Sequence, residues 1–546
     1  MNKIKSYFVN LKGILMILKS FITTAKNNFH KTVFFDAFGT SLTFGHTLTG
    51  GVLLSKYIRD MEGENIAVVF PPSIGGALAN IATAFAGKVP VGLNFVASKE
   101  EQDYVLKMCD VHSILTSKVF IEKAGIPFDK RMVFIEDIKN NISNKKKILT
   151  YLACKFRSKN SLIQEFSAYD QPEKNAVILF TSGSESHPKG VPLTNQNVYT
   201  TIQNISTIFD PIPEDVFLGA MPFFHVFGFV VCLWLPLLKG LGVVFHPNPT
   251  EYEKLGRIVH DKKVTIVLGT STLYRGFVKK WHKEQTSSIR LAYAGAEKLN
   301  SAVREKFQEK FGIPIYEAYG TTESCACISA NKAHDFRHGS VGKLLPNINS
   351  KIVDAETYRE VPQGEEGLIL VQGPNFMKGY YNSPELTESA FHEGYYITGD
   401  IGKFNNGFLY ITDRLKRFAK IGGEMVSLSP IEDKLSCILD EITEGEKRNC
   451  AVVNIPHAQK GEQIVAFVVH PNPDKLSLNA ALDKHGITKL SQPDHYLHID
   501  TIPLLSTGKV DYKTLKQLAL QQVVPLTVKS EARNPKSETN SNDKMI

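Results

Sequence analysis

Cysteine is scarce and scattered in this chain. Its 546 residues hold seven, Cys109, Cys154, Cys232, Cys325, Cys327, Cys437 and Cys450, an odd number without regular spacing. That excludes a disulfide framework and points to a reducing compartment. Cys325-Ala326-Cys327 has neither a second cysteine pair nor a histidine at ligand spacing, so it reads as small core or strand residues rather than a metal site. No apolar run near the N-terminus is long enough to span a bilayer, because lysines interrupt Leu11–Lys19. No small-residue cleavage site follows, so no secretory signal is read. Internal repeats, nucleic-acid recognition motifs and the G-x-x-x-x-G-K-[ST] loop are missing too. Acid is absent from two stretches, 1–31 and 139–159.

A chain of this length exceeds one core, so at least two domains are expected. Hydrophobic content of 43% and charge of 22% are those of an ordinary globular protein. The net charge of +8 suits anionic partners: a nucleotide, anionic lipid or an acidic carrier protein, but no nucleic acid is expected. Residues 1–31 carry Lys3, Lys5, Lys12, Lys19, Lys26 and Lys31. Two readings stay open there: a helix lying on a membrane surface, or one packed on its own domain. In 139–159, Ile148, Leu149, Leu152 and Phe156 recur at helical spacing among Lys139, Lys145, Lys146, Lys147, Lys155, Arg157 and Lys159. Such a helix can meet a membrane or an acidic protein, or simply be solvated.

Between Val33 and Glu173, strand-like runs (Ile66–Phe70, Val89–Leu93, Ser113–Thr116) alternate with a helical stretch such as Ile74–Gly87. This alternation argues for parallel sheets with crossover helices. Glycine and proline thicken from Pro346, where strands such as Gly367–Val371 suggest a β-rich subdomain. Beyond Asp413, a helix at 431–439, strands at 450–453 and 464–469 and a helix at 476–484 read as a small α+β domain. The expected architecture is therefore α/β: a basic N-terminal helix (1–32), a large domain of parallel-sheet α/β layers with the β-rich subdomain (33–412), a small mobile C-terminal α+β domain (413–525) and a disordered tail (526–546).

The most informative stretch is Ile178–Val191. The apolar run Ala176–Phe180 reads as a buried strand that breaks into Thr181, Ser182, Gly183 and Ser184. A hydroxyl-rich loop of this kind turns successive N–H groups toward an anion, and Lys189 adds a mobile positive charge. On composition alone, a Ser/Gly surface turn between strand and helix stays open.

This stretch resembles the phosphate loop of the adenylate-forming superfamily, T-S-G-[ST]-[TE]-G-x-P-K-G-[VI]. It matches at Thr181, Ser182, Gly183, Ser184, Glu185, Pro188, Lys189, Gly190 and Val191, while Ser186 stands where the family has glycine. Four more stretches match in order. Tyr319–Glu323 resembles Y-G-x-T-E, and Tyr396–Asp400 resembles [YF]-x-T-G-D. Asp413–Lys416 with Lys420 and Gly422-Gly423-Glu424 resembles the segment joining the two domains, and Ser506–Val510 the C-terminal lysine loop.

The resemblance implies that a carboxylate attacks the α-phosphorus of ATP, with Mg²⁺ as cofactor, and that a thiol then takes the acyl group. It implies catalytic roles for Lys509, Lys189, Thr322, Glu323 and His225, with Glu323 also holding the metal. It implies nucleotide contacts from Thr181, Ser182, Gly183, Ser184, Gly295, Tyr319, Gly320, Asp400 and Arg414. In the family the small domain turns about a hinge, here Lys416, so that Lys509 leaves and the Gly422-Gly423 loop enters. The apolar run after His225 implies a fatty acid substrate. The expected acceptor is coenzyme A or the phosphopantetheine of acyl carrier protein. Carrier protein is favoured because 178–185, 221–228, 268–272 and 294–299 look most like the acyl-acyl-carrier-protein synthetase domain of bacterial 2-acylglycerophosphoethanolamine acyltransferases, with long-chain acyl-CoA synthetases also similar. In those acyltransferases an acyltransferase domain precedes the matching region. Here the matching region begins near Phe34, so a stand-alone activating enzyme, or a partner of a separate acyltransferase, is expected. The expected location is cytoplasmic or peripheral on the inner membrane face. Amino-acid or aryl-acid adenylation and a catalytically silent binding relative are the alternatives. No acid lies between Asp215 and Glu251 to hold a substrate ammonium, which disfavours amino acids.

Overall fold

A computed structural model describes residues 16–36, 39–181, 188–422, 424–442, 449–469, 474–504 and 510–531, with backbone alone for 440–442 and 524–531. The chain divides into two units, Met1–Thr412 and Asp413–Ile546.

The first unit is built on two mainly parallel sheets. Runs such as Asn65–Val68, Val89–Gly92, Ser113–Thr116, Ile266–Gly269 and Leu291–Ala294 are buried at every position. Burial on both faces is what continuous apolar strands require. The intervening helices start at Ser73, Ser98, Ser117, Thr194, Thr270 and Asn300, whose side chains accept N–H groups of the first turn. One sheet has six strands in the order 132–134, 113–116, 65–68, 89–92, 175–181, 189–194; only its last pair is antiparallel. The other has nine, and its central strands 315–319, 291–294, 266–269, 216–219, 242–245 and 32–36 run parallel. Their carboxyl ends therefore lie along one edge, the edge where open α/β sheets bind ligands.

The opposite edge is clamped by Asp215, which has no exposed surface. Its carboxylate accepts from Arg290 Nε and Nη2 at 2.8 and 2.5 Å, Thr265 Oγ1 at 2.7 Å and Ile212 N–H at 2.9 Å. Burial would raise this carboxyl's pKa, but the Arg290, Ile212 and Thr265 hydrogen bonds outweigh it and hold it below the usual range. The clamp ties the residues just before strands 216–219, 266–269 and 291–294.

Residues 17–27 do form a helix. Ile17, Leu18, Phe21, Ile22 and Ala25 are buried in the main core. The Asp170 carboxylate accepts the N–H groups of Leu18 and Lys19 at 3.0 and 2.9 Å. This stretch is part of the large unit rather than a separate N-terminal element; the helix packs on its own domain. Residues 349–414 supply a further sheet of strands 349–353, 367–372, 391–392, 395–405 and 408–414.

In the second unit, strand Cys450–His457 sends alternate residues to opposite faces. Val452 packs with Leu435 and Leu482 on one side, Ala451 and Val453 with Leu515 and Val523 on the other. Helix Ser429–Ile442 covers the first face and helix Tyr512–Glu531 the second. The latter continues past the tail boundary expected at 525. None of the seven cysteines forms a disulfide. Among the described residues no helix is long and apolar enough to cross a membrane, and no three metal-ligating side chains converge.

Arg290→Met should leave Asp215 buried without its main partner and cost about 3–5 kcal/mol of stability. Asp215→Asn combined with Arg290→Met should recover part of that loss. Thermal midpoints of the two variants check it: equal midpoints would mean that the buried charge is not the cause.

Candidate functional site

The antiparallel pairing of Asn175–Thr181 with Lys189–Thr194 places Thr181 opposite Lys189. The loop between them closes a β-hairpin rather than joining a strand to a helix. Ser182, Gly183, Ser184 and Ser186 lie outside the described residues. Lys189 Nζ sits 5.1 Å from the Tyr380 ring centroid, a cation–π contact that aims the ammonium. The Tyr381 N–H donates to the Gly190 carbonyl at 2.8 Å, anchoring the hairpin to the segment around 380.

Tyr380 also reaches Glu323. Its hydroxyl donates to Glu323 Oε1 at 2.9 Å in a buried setting. Burial, then the Glu323 charge, pushes the Tyr380 phenol well above its ordinary pKa. Tyr396 is raised by burial and the same carboxylate, so both phenols stay protonated donors. The Met377 N–H donates to the Glu323 carbonyl at 2.8 Å, fixing the residue's backbone too. A lysine and a carboxylate are thus brought onto one tyrosine.

Glu323 belongs to a tight turn after strand Ile315–Tyr319. Cys325 and Ala326 take left-handed φ values of 55° and 86°. The Asn375 side-chain amide holds the turn by donating to the carbonyls of Ser324 and Cys327 at 2.7 and 3.1 Å. A Cβ on Gly320 would lie 2.1 Å from the Ala326 carbonyl oxygen, so only glycine fits there. Thr322 stays partly exposed. Cys325 and Cys327 are buried in the core.

Asp400 is buried and accepts the Tyr319 hydroxyl at 2.6 Å. Its backbone N–H is held by Thr398 Oγ1 at 3.0 Å. Gly295 follows strand Leu291–Ala294, with open space where a side chain would stand except for the Ala318 carbonyl at 3.5 Å. His225 follows strand Val216–Gly219. Its Nδ1 accepts the Phe227 N–H at 3.3 Å, which leaves the proton of a neutral ring on Nε2. Phe227–Trp234 winds as a π-helix, a rare form found often at functional sites. Phe229–Leu238 is buried in the main core, and only His225 and Phe227 stay partly open. The strands carrying Tyr319 and leading to His225 are three apart, so these segments span roughly 14 Å along one sheet edge.

Arg414 stands exposed in the second unit, its backbone N–H donating to Asp413 Oδ1 at 2.7 Å. Lys416 is exposed in the short turn Leu415–Arg417. Lys509 and Gly423 lie outside the described residues. The residue missed by sequence reasoning is Tyr380; the signal was an aromatic pair, Tyr380-Tyr381, directly after Gly379.

Residues 21–381 match the model of the AMP-binding enzyme family. A long-chain-fatty-acid–CoA ligase of Bacillus subtilis is 27% identical over 90% of this chain and 93% of its own. A 4-coumarate–CoA ligase-like protein, number 9, of Arabidopsis thaliana is 28% identical over 88% of this chain and 86% of its own. The fold is like that of ATP-bound MatB from Rhodopseudomonas palustris: TM-score 0.76 and 24% identity over 92% of this chain and 99% of that one.

Tyr380→Phe should keep the ring beneath Lys189 but remove the donor to buried Glu323. The expected loss is roughly 1–3 kcal/mol of stability, read as a lower thermal midpoint. An unchanged midpoint would mean that Glu323 does not depend on this hydroxyl.

Proposed function

Since this chain belongs to the AMP-binding enzyme family, we propose that it is an acid–thiol ligase that activates a long-chain fatty acid with ATP. The acyl-adenylate then passes to the thiol of coenzyme A or of the acyl-carrier-protein phosphopantetheine. The observation that carries the reading is the Lys189–Tyr380–Glu323 cluster beside the Tyr319–Asp400 pair. The Bacillus relative's name supports the fatty acid and coenzyme A; the resemblance of 178–185 and 221–228 supports carrier protein.

In the first half-reaction a carboxylate oxygen of the acid attacks the α-phosphorus. The α–β bridge oxygen leaves with pyrophosphate and keeps the bonding electron pair. Negative charge concentrates on the phosphates, so fixed cations and positioning supply most of the rate. Lys189, aimed by Tyr380, meets that charge, and Lys509 is the second cation. Thr181, Ser182, Gly183 and Ser184 donate to phosphate oxygens, with Thr322 on the α-phosphate. Asp400 and Arg414 hold the ribose, and Tyr319 and Gly295 flank the adenine. Gly320 lets the strand end turn tightly beside it. The Glu323 carboxylate fits Mg²⁺, an ion that needs only one or two protein carboxylates. When bound, the metal would neutralise phosphate charge. His225, partly open to solvent, is the residue placed beside the acid's carboxylate. In the second half-reaction the thiolate sulfur attacks the acyl carbon and AMP leaves.

Pyrophosphate release with panels of fatty, aryl and amino acids tests the substrate class. Long-chain fatty acids should be fastest; a faster amino acid or aryl acid overturns that choice. Mass spectrometry of products formed with both thiols present identifies the acceptor. Lys509→Ala should lower adenylate formation by at least about a hundredfold, the scale of a lost transition-state contact. It should spare thioester formation from preformed acyl-adenylate. Equal loss in both would contradict a role confined to the first half-reaction.

A further inference from the structure

Helix Asn144–Phe156 presents its apolar face outward. Its buried residues are the small Thr150 and Cys154. Ile148, Leu149, Leu152 and Phe156 are 59%, 56%, 41% and 74% exposed. At 100° per residue these four fall within an arc of roughly 100° facing away from Thr150 and Cys154. Apolar side chains on a water-facing helix cost solvation and mark a surface that something covers.

The orientation is enforced. The Lys26 ammonium donates to the carbonyls of Cys154, Lys155 and Arg157 at 2.9, 2.6 and 2.9 Å, gripping the helix's C-terminal end. The Tyr151 ring stacks on His46 at 5.3 Å and lies 5.4 Å from Phe29. The helix cannot roll its apolar face inward without breaking these contacts.

The surroundings are cationic. Lys145, Lys146 and Lys155 are exposed beside the apolar arc, and no acid occurs between Asp137 and Glu165. A groove of about 320 Å³ runs along one flank, lined by Lys56, Lys145, Lys146 and Arg157 around Val52 and Leu149. Arg157 is paired with Glu165 at 2.5 Å, so the lysines carry most of the unbalanced charge. An apolar ridge with a lysine rim matches a layered partner, hydrocarbon beneath an anionic surface. Lysine stems extend along such a ridge and lift their ammonium groups to headgroup level. An acidic protein would match the rim but leave Phe156 and Leu152 without a comparable apolar layer.

We propose that helix Asn144–Phe156 seats the large unit on an anionic lipid bilayer, with Ile148, Leu152 and Phe156 entering the acyl boundary and the flanking lysines meeting lipid phosphates. This rests on the helix and its setting, and holds whichever acid the enzyme activates.

Flotation of the full-length protein with vesicles tests it, using phosphatidylcholine alone or mixed with phosphatidylglycerol. Wild type should float with the mixed vesicles, and progressively less as salt rises. The triple variant Ile148→Ser, Leu152→Ser, Phe156→Ser should bind at least about tenfold more weakly, and so should Lys145→Gln, Lys146→Gln, Lys155→Gln. Both should keep the wild-type melting temperature and pyrophosphate release, because every altered side chain is exposed. The proposal fails if wild type does not float with mixed vesicles, or if both triple variants float as well as wild type. It also fails if vesicle binding persists while transfer to acyl carrier protein falls, which would assign the face to an acidic protein. Finally, it fails if wild type is a dimer that the serine variant dissociates, which would assign the face to a second copy.

Discussion

A charge with no exposed surface dictates how the large unit is arranged. Asp215 can remain ionised inside only because Arg290, Thr265 and the Ile212 N–H occupy its oxygens. Asp215, Thr265 and Arg290 stand just before parallel strands 216–219, 266–269 and 291–294. Aligning their amino ends also aligns their carboxyl ends, since parallel strands of similar length share a register. Gly295 and the approach to His225 thereby emerge along one edge, and strand 315–319 adds Tyr319 beside them. The candidate site is the open end of this arrangement, and the clamp is the closed end.

At the open end, tyrosines organise charges that would otherwise be costly or loose. A buried carboxylate such as Glu323 needs donors, and a lysine on a hairpin needs a direction. Tyr380 supplies a hydroxyl to the first and a ring face to the second. Tyr319 serves Asp400 in the same way. This pre-orders the site before any ligand arrives, which is where fixed electrostatic stabilisation gains its advantage over water.

Much of this was legible in the sequence. Short apolar runs bounded by Gly and Pro marked the strands, and the spacing of Lys189, Glu323 and Asp400 within known motifs marked the family. Three features were not legible, each for a physical reason. Strand Asn175–Thr181 is followed by a second strand rather than a helix, because Lys189–Thr194 pairs with it, and a short apolar run does not report its own pairing. Tyr380 lies 57 residues from Glu323, and no local periodicity reports a contact at that separation. Basic residues marked 1–31 as a candidate helix, and helical spacing marked an apolar face in 139–159, but neither reading said which way the helix turns. The first buries its apolar side and the second exposes it, a difference set by neighbours such as Asp170 and Lys26.

Attack of a carboxylate on the α-phosphorus of ATP at this site would leave an isotopic trace. A fatty acid labelled with ¹⁸O in both carboxylate oxygens, turned over once with ATP and a thiol, tests it most directly. Attack at the α-phosphorus leaves one ¹⁸O atom in the phosphate of AMP and none in pyrophosphate. Label in inorganic phosphate, with ADP as the nucleotide product, would show attack at the γ-phosphorus and contradict it.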